Sequence, residues 1–210
     1  MENNNVSLSQ DEVDKLLGII SHPDDSNQNK VEKNYNCEKI FSETELDFMR
    51  KDFAGFNTTF LDALKAKFGE PTIRKLTLTA VDQICTEEFF DTVSGNDFLY
   101  KVSLNGANVF LKLDSFLFGA LSGLRLDPRH KINLFQSEVI RHFVVAIMAE
   151  TVEKRQEGKV QVESLFQKDT KPYANNECGI GLTINWNENL LSFGVEKIFI
   201  SKEFFQALKK

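Results

Sequence analysis

The sequence predicts an α+β domain, two long helices packed on one mainly antiparallel sheet, preceded by a tethered amphipathic helix. Three features lead there. Apolar residues recur at helical spacing over residues 43–67 and 134–155. Runs with strand-like alternation or β-branched bias, joined by hairpin signals, follow each of these helices. The order long helix, strand, hairpin, short helix occurs twice, an internal repeat of elements without a residue-level repeat. Two such halves place both long helices on a shared sheet, a pseudo-two-fold arrangement.

The chain opens with a helix whose limits are written residue by residue. Ser9 is an N-cap, its hydroxyl able to accept from the open N–H groups of the first turn, and Glu12 completes a capping box. Leu8 and Val13 form the matching hydrophobic staple. Val13, Leu16, Leu17 and Ile20 fall at i, i+3, i+4 and i+7, on one face. Asp11 and Glu12 occupy the first turn, where the helix dipole favours them. Residues 21–40 are polar and charged, with Val31, Tyr35, Cys37 and Ile40 as the only substantial apolar residues. Such a segment buries too little surface to offset its ordering entropy and reads as a flexible linker. A capped amphipathic helix on a tether either docks into a partner's groove or folds back on its own domain. The expected organisation is a partner-binding helix over 1–20, a linker over 21–40 and the α+β domain over 41–210.

Within the domain, Ser42 and Glu45 make a second capping box, with Phe41 and Leu46 as its staple. Leu46, Met49, Phe53, Phe56, Phe60, Leu64 and Phe68 follow at spacings of three and four, and Gly69-Glu70-Pro71 ends the helix. Residues 73–84 form a strand with Leu76, Leu78 and Ala80 on one side. One or two helical turns over 86–93 carry Phe89 and Phe90. Residues 98–104 and 109–113 flank Asn105-Gly106, the dipeptide that supplies the two positive-φ positions of a tight antiparallel hairpin. Asp114 or Ser115 caps a short helix over 116–124. In the second long helix, Phe135, Val139, His142 or Phe143, Ala146, Met148 or Ala149 and Val152 are expected to line the inner side. Residues 160–166, 178–186 and 190–200 are strands, the last two a hairpin across Asn187-Glu188-Asn189, and 201–208 close as a short amphipathic helix. The 19 Phe residues read as core filling, because most recur at helix or strand periods.

Composition narrows the function. A net charge of −6 argues against a nucleic-acid surface, which needs clustered Lys and Arg. No apolar run approaches the roughly 18 to 20 residues that span a bilayer, and the N-terminus is too polar for a signal peptide, so a cytoplasmic chain without membrane insertion is expected. Cys37, Cys85 and Cys178 are odd in number and far apart in sequence, which points neither to a disulfide framework nor to a metal site. His22, His130 and His142 are isolated. Gly179-Ile180-Gly181 is a Gly-x-Gly on a strand with no helix behind it, a poor phosphate cradle. No catalytic, metal or cofactor site is expected.

The stretch Leu8-Ser9-Gln10-Asp11-Glu12-Val13-Asp14-Lys15-Leu16-Leu17 closely resembles the N-terminal Leu-Ser-Gln-x-Glu-Ile-Asp-x-Leu-Leu peptide of the flagellar motor switch protein FliM family, which captures the phosphorylated response regulator CheY. The twofold element pattern is similar to the pseudo-symmetric middle domain shared by FliM and the CheC phosphatases. Glu88-Phe89-Phe90-Asp91, then Gly106-Ala107-Asn108-Val109-Phe110-Leu111-Lys112-Leu113-Asp114, resemble that family's strand pair and the opening of its next helix, and Val139-Ile140-Arg141 resembles its second long helix. The resemblance implies a CheC/FliM-middle-like domain and a chemotaxis role at the cytoplasmic face of the flagellar basal body, coupling signalling to rotation direction. It implies phosphorylated CheY as partner, with FliG, FliN-type switch proteins and copies of the chain itself as further neighbours. Val13, Leu16, Leu17 and Ile20 would supply the apolar contact, Asp11, Glu12 and Asp14 would face basic residues on CheY, and Leu8, Ser9 and Gln10 would complete the peptide.

Two alternatives stand beside this reading, a CheC-like CheY-phosphate phosphatase and a non-catalytic scaffold with the tail packed on its own domain. CheC relatives use Glu-x-x-Asn on a long helix, the carboxamide orienting a water in line with the aspartyl phosphate while the acid anchors the partner. Here the first long helix offers Asp52-x-x-Gly55 and the second Glu138-x-x-Arg141 and Glu150-x-x-Glu153, so the amide is missing at that spacing and no enzyme is expected. Residues Gly119-Ala120-Leu121-Ser122-Gly123-Leu124-Arg125-Leu126-Asp127-Pro128-Arg129 lack the Gly-Gly loop that FliM relatives use against FliG and neighbouring subunits. The sequence ends at Lys210, where the family continues into a FliN-like domain, so a shortened relative or a piece of a switch subunit is expected.

Overall fold

A computed structural model describes residues 35, 37–68, 75–115, 119, 133–148, 158–166, 169–189 and 192–209. The expected helices over 8–20 and 116–124, and the second long helix beyond Met148, lie outside these residues apart from Gly119. Helix α1 (Glu43–Phe68) starts at the capping signal: the Glu45 carboxylate reaches back to accept from Ser42 N and Ser42 Oγ, both at 3.0 Å. Leu46, Met49 and Phe53 are its buried anchors. Strand β1 (Lys75–Cys85) runs directly into the short helix α2 (Thr86–Asp91), whose N-cap is a thiol, Cys85 Sγ accepting from Glu88 N at 3.4 Å. Strands β2 (Phe98–Leu104) and β3 (Ala107–Leu113) pair antiparallel across Asn105 and Gly106, whose φ of 52° and 84° are those of a type I′ turn. Helix α3 (Leu134–Met148), β4 (Gln161–Leu165), a 3₁₀ turn (Lys171–Tyr173), β5 (Cys178–Asn189), β6 (Ser192–Ser201) and α4 (Lys202–Leu208) complete the order. Ser201 caps α4, its Oγ accepting from Phe204 N at 3.3 Å.

The six strands form one antiparallel sheet in the order β1-β5-β6-β3-β2-β4. Advancing the first-half strands by three, and setting the second half back by three, returns this order read from the other edge. The repeat in element order is therefore a pseudo-two-fold in space, with its axis between β3 and β6. The first strand of each half bonds to the hairpin of the other, β1 to β5 and β4 to β2.

The sheet has two cores. On one face the anchors of α1, together with Ile140, Phe143, Val144 and Met148 of α3, pack with Tyr100, Val102, Ile180, Leu182, Ile184 and Trp186. On the reverse face Phe89 and Phe90 of α2 meet Phe110 and Phe199, with ring centroids 5.0 to 6.4 Å apart. Tyr173 closes that cluster, its ring 5.3 Å from Phe110 and under the Lys101 ammonium at 4.9 Å.

Two expectations about facing change. Val139 and Phe135 do not line the inner side of α3: they are 38% and 73% exposed, His142 is exposed, and the buried face is Gln136, Ser137, Ile140, Phe143, Val144 and Met148. The helix is apolar on more than one side, so apolar spacing leaves its rotation open. Two polar contacts accompany the observed rotation. Asn133 and Gln136 form a reciprocal capping box at 2.9 and 3.0 Å, and buried Tyr100 donates its hydroxyl proton to Ser137 O at 2.8 Å. In β1 a bulge after Leu78 shifts the register by one, so Val81 and not Ala80 joins the core with Leu76.

The glycines of Gly179-Ile180-Gly181 make room on the aromatic face. A Cβ at Gly179 would strike the Phe199 ring and the Ile200 carbonyl, whereas one at Gly181 would meet the movable end of Ile84. Gly179→Ala should therefore cost about 2–3 kcal/mol and Gly181→Ala clearly less. Urea unfolding of both variants checks this, and equal losses would contradict it.

Candidate functional site

The residues expected to hold a partner, Leu8, Ser9, Gln10, Asp11, Glu12, Val13, Asp14, Leu16, Leu17 and Ile20, lie outside the described residues. What the structure describes is the junction at which the chain joins the domain. Gln83 organises it. Because β1 carries the bulge, Gln83 shares a face with Val81, the side from which α1 starts. Its Oε1 accepts from Ile40 N at 2.7 Å and Phe41 N at 2.9 Å, and its Nε2 donates to Glu38 O at 2.7 Å. One carboxamide thus satisfies three backbone groups beside β1, which among the described residues is an edge strand. Phe41 then turns in, edge-on to Phe205 at 5.4 Å. Tyr35 Oη donates to Asp91 Oδ2 at 2.6 Å, and that hydrogen bond, above burial and the nearby acids, pushes the hydroxyl up to about 12. Residues 37–40 look like linker by composition because their ties are made by their backbone, which composition does not register.

A second polar centre lies in the helix-covered core. Glu196 on β6 is buried, accepting from Trp186 Nε1 at 2.6 Å and from Asp114 N at 2.7 Å. Burial raises its pKa well above the usual carboxylate range, against the pull of those two donors. Both oxygens are held by internal donors, so the group braces β5, β6 and the end of β3 and is not presented to a substrate. The sequence signal for it was an acid at the core-facing parity of β6, in register with Ile184.

The helix positions weighed for phosphatase chemistry are now placed. Asp52 is half-buried and Gly55, one turn on, is exposed. The carboxamide nearest them in sequence, Asn57, turns inward and donates to Leu76 O at 3.1 Å. On α3, Glu138 is ion-paired with Arg141 at 2.8 Å. The exposed side chains of Leu134, Phe135 and Val139 make an apolar patch on α3, and Leu134 also lines a cavity of about 410 Å³ with Val93, Phe98, Leu99 and Phe166. His22, His130 and the 119–129 segment beyond Gly119 lie outside the described residues. Among the described residues no group of three or more His, Cys, Asp or Glu could hold a metal ion, and no helix is long and apolar enough to cross a membrane.

No family model matches the sequence, and no curated protein does. Solved structures match the fold. The FliM-SpeE complex from H. pylori aligns with a TM-score of 0.66 over 80% of this chain and 96% of that one, at 14% identity. The FliM middle domain from H. pylori aligns with a TM-score of 0.58 over 80% and 98%, at 16% identity. This chain has the FliM middle-domain fold. The FliG-FliM complex from H. pylori agrees, with a TM-score of 0.61 over 81% and 100%, at 16% identity. The α+β architecture implied by the resemblance is thereby established, and the likeness is one of fold.

Two outcomes are expected at these centres. Gln83→Ala should speed amide exchange at Ile40 and Phe41 about tenfold or more while leaving β5 protected; unchanged exchange would show that the clamp is not what holds the segment. Glu196 keeps its proton in the folded protein at pH values where the unfolded chain has lost it. Its contribution to stability is therefore largest in acid and declines as pH rises from the unfolded value toward the raised folded one. Wild-type stability measured against Glu196→Gln should fall between pH 5 and pH 8, and a pH-independent difference would refute the raised value.

Proposed function

We propose that this protein is a non-catalytic component of the flagellar switch that captures phosphorylated CheY through its N-terminal helix, residues 8–20. The observation that carries the reading is the ten-residue match, Leu8 to Leu17, to the CheY-capturing peptide of FliM in a chain that has the FliM middle-domain fold. Val13, Leu16, Leu17 and Ile20 form the apolar contact, and Asp11, Glu12 and Asp14 meet basic residues on the regulator. Part of the interaction energy is spent ordering the peptide, so affinity is modest, and the tether offsets this by raising the local concentration of captured regulator.

The domain serves as the mount. A solved FliM of this fold is in complex with FliG, which supports FliG as a neighbour here, with FliN-type proteins and further copies of the chain completing a ring at the cytoplasmic face of the basal body. The non-catalytic assignment is supported by Gly55, which supplies no carboxamide beside Asp52 to orient a hydrolytic water.

Titration of the full chain against CheY should give binding at least tenfold tighter to the phosphorylated form. Leu16→Ala with Leu17→Ala should weaken it by roughly 30-fold or more, the loss of two buried leucines. Equal or absent binding of the two forms would sink the proposal. Faster loss of phosphate from CheY in the presence of the protein would favour the phosphatase reading instead.

A further inference from the structure

Cys37, Cys85 and Cys178 are scattered through the sequence, yet the fold gathers all three at one end of the sheet. Register pairs Cys85 of β1 directly with Cys178, the first residue of β5. Cys37 arrives at the same place because the Gln83 carboxamide holds its segment, with Nε2 3.6 Å from Cys37 Sγ and 2.7 Å from Glu38 O. The Cys37 and Cys178 thiols are neighbours at this end of the sheet, the one on Gln83 Nε2 and the other, on Asn176 O at 3.9 Å, opposite Cys85; both are half-buried, and all three cysteines are free. Cys85 is differently engaged. It is fully buried, and its sulfur accepts from Glu88 N as the cap of α2.

We propose that Cys37 and Cys178 are a reversible disulfide pair, linking the segment that enters the domain to the start of β5. Oxidation by a low-molecular-weight disulfide balances the reaction. The Cys178 thiolate attacks one sulfur of the small disulfide, breaking its S–S bond and releasing one thiolate. The Cys37 thiolate then attacks Cys178 Sγ in the mixed disulfide, forming the Cys37–Cys178 bond and releasing the second thiolate. The two protons lost by the cysteines go to the two released thiols, and the small disulfide is the species reduced. Burial first, and contact with Cys178 next, push the Cys37 thiol up to about 12, so its thiolate is scarce at neutral pH. Burial thus holds Cys37 back as the first nucleophile and leaves it the resolving thiol. Bond formation requires the two sulfurs to approach to the S–S length of about 2.0 Å, a movement open to the half-buried Cys37 and Cys178 side chains. The crosslink replaces a clamp of hydrogen bonds by a covalent one, so the redox state of the pair sets how firmly the entering segment is held, whatever the helix before it binds.

The full chain treated with oxidised glutathione, then alkylated and digested without reduction, should yield one intramolecular peptide pair joining Cys37 to Cys178, two hydrogens lighter than its parts. Dithiothreitol should reverse it, and the thermal midpoint of the oxidised monomer should rise by about 5 to 10 °C. Cys37→Ser should halt the reaction at a glutathione adduct on Cys178. A bridge to Cys85, a crosslink between chains, or recovery of Cys37 and Cys178 as alkylated free thiols would overturn the proposal.

Discussion

The domain depends on hydrogen bonding between its two halves. β1 has β5 as its strand neighbour, β4 has β2, and the two hairpins meet along β3 and β6. Each half taken alone lacks the partner of its own first strand, so the backbone groups of that strand are satisfied only when the other half is present. Burial follows the same pattern, since the long helix of each half covers a sheet built from both. A chain arranged in this way is expected to fold as a cooperative whole, at the cost of long-range strand pairing that must precede most of the gain in burial.

Strand alternation then divides the apolar residues between two cores. Phe98, Tyr100 and Val102 face the long helices while Leu99 faces the aromatic side, and Phe110 and Phe199 each point away from their buried sequence neighbours. The aromatic core forms only because Gly179 leaves the volume that Phe199 occupies. The helix-covered core is not purely apolar. It encloses Glu196, acceptable there because Trp186 and the Asp114 amide occupy its two oxygens, and loss of either donor would leave a buried carboxyl oxygen unmatched.

Function and fold meet at the junction. The Gln83 carboxamide ties the segment before α1 to β1 through three backbone groups. The proposed thiol pair lies beside the same clamp.

The α+β class, the doubled element order, the Asn105-Gly106 hairpin and the Ser42 and Ser201 helix starts were legible from the sequence because each is a local choice written by a few neighbouring residues. The N-terminal peptide is likewise a contiguous string, and its residues lie outside the described ones. The rotation of α3, the bulge that carries Val81 and Gln83 to the helix side of β1, the burial of Glu196 and the gathering of the three cysteines at one end of the sheet were not legible. Each depends on which strand lies beside which, and on volumes left by residues as distant as Gly179 and Phe199. Periodicity records that a residue is apolar at a given spacing. Only the packed sheet decides which of two apolar faces turns inward and which distant side chains come into contact.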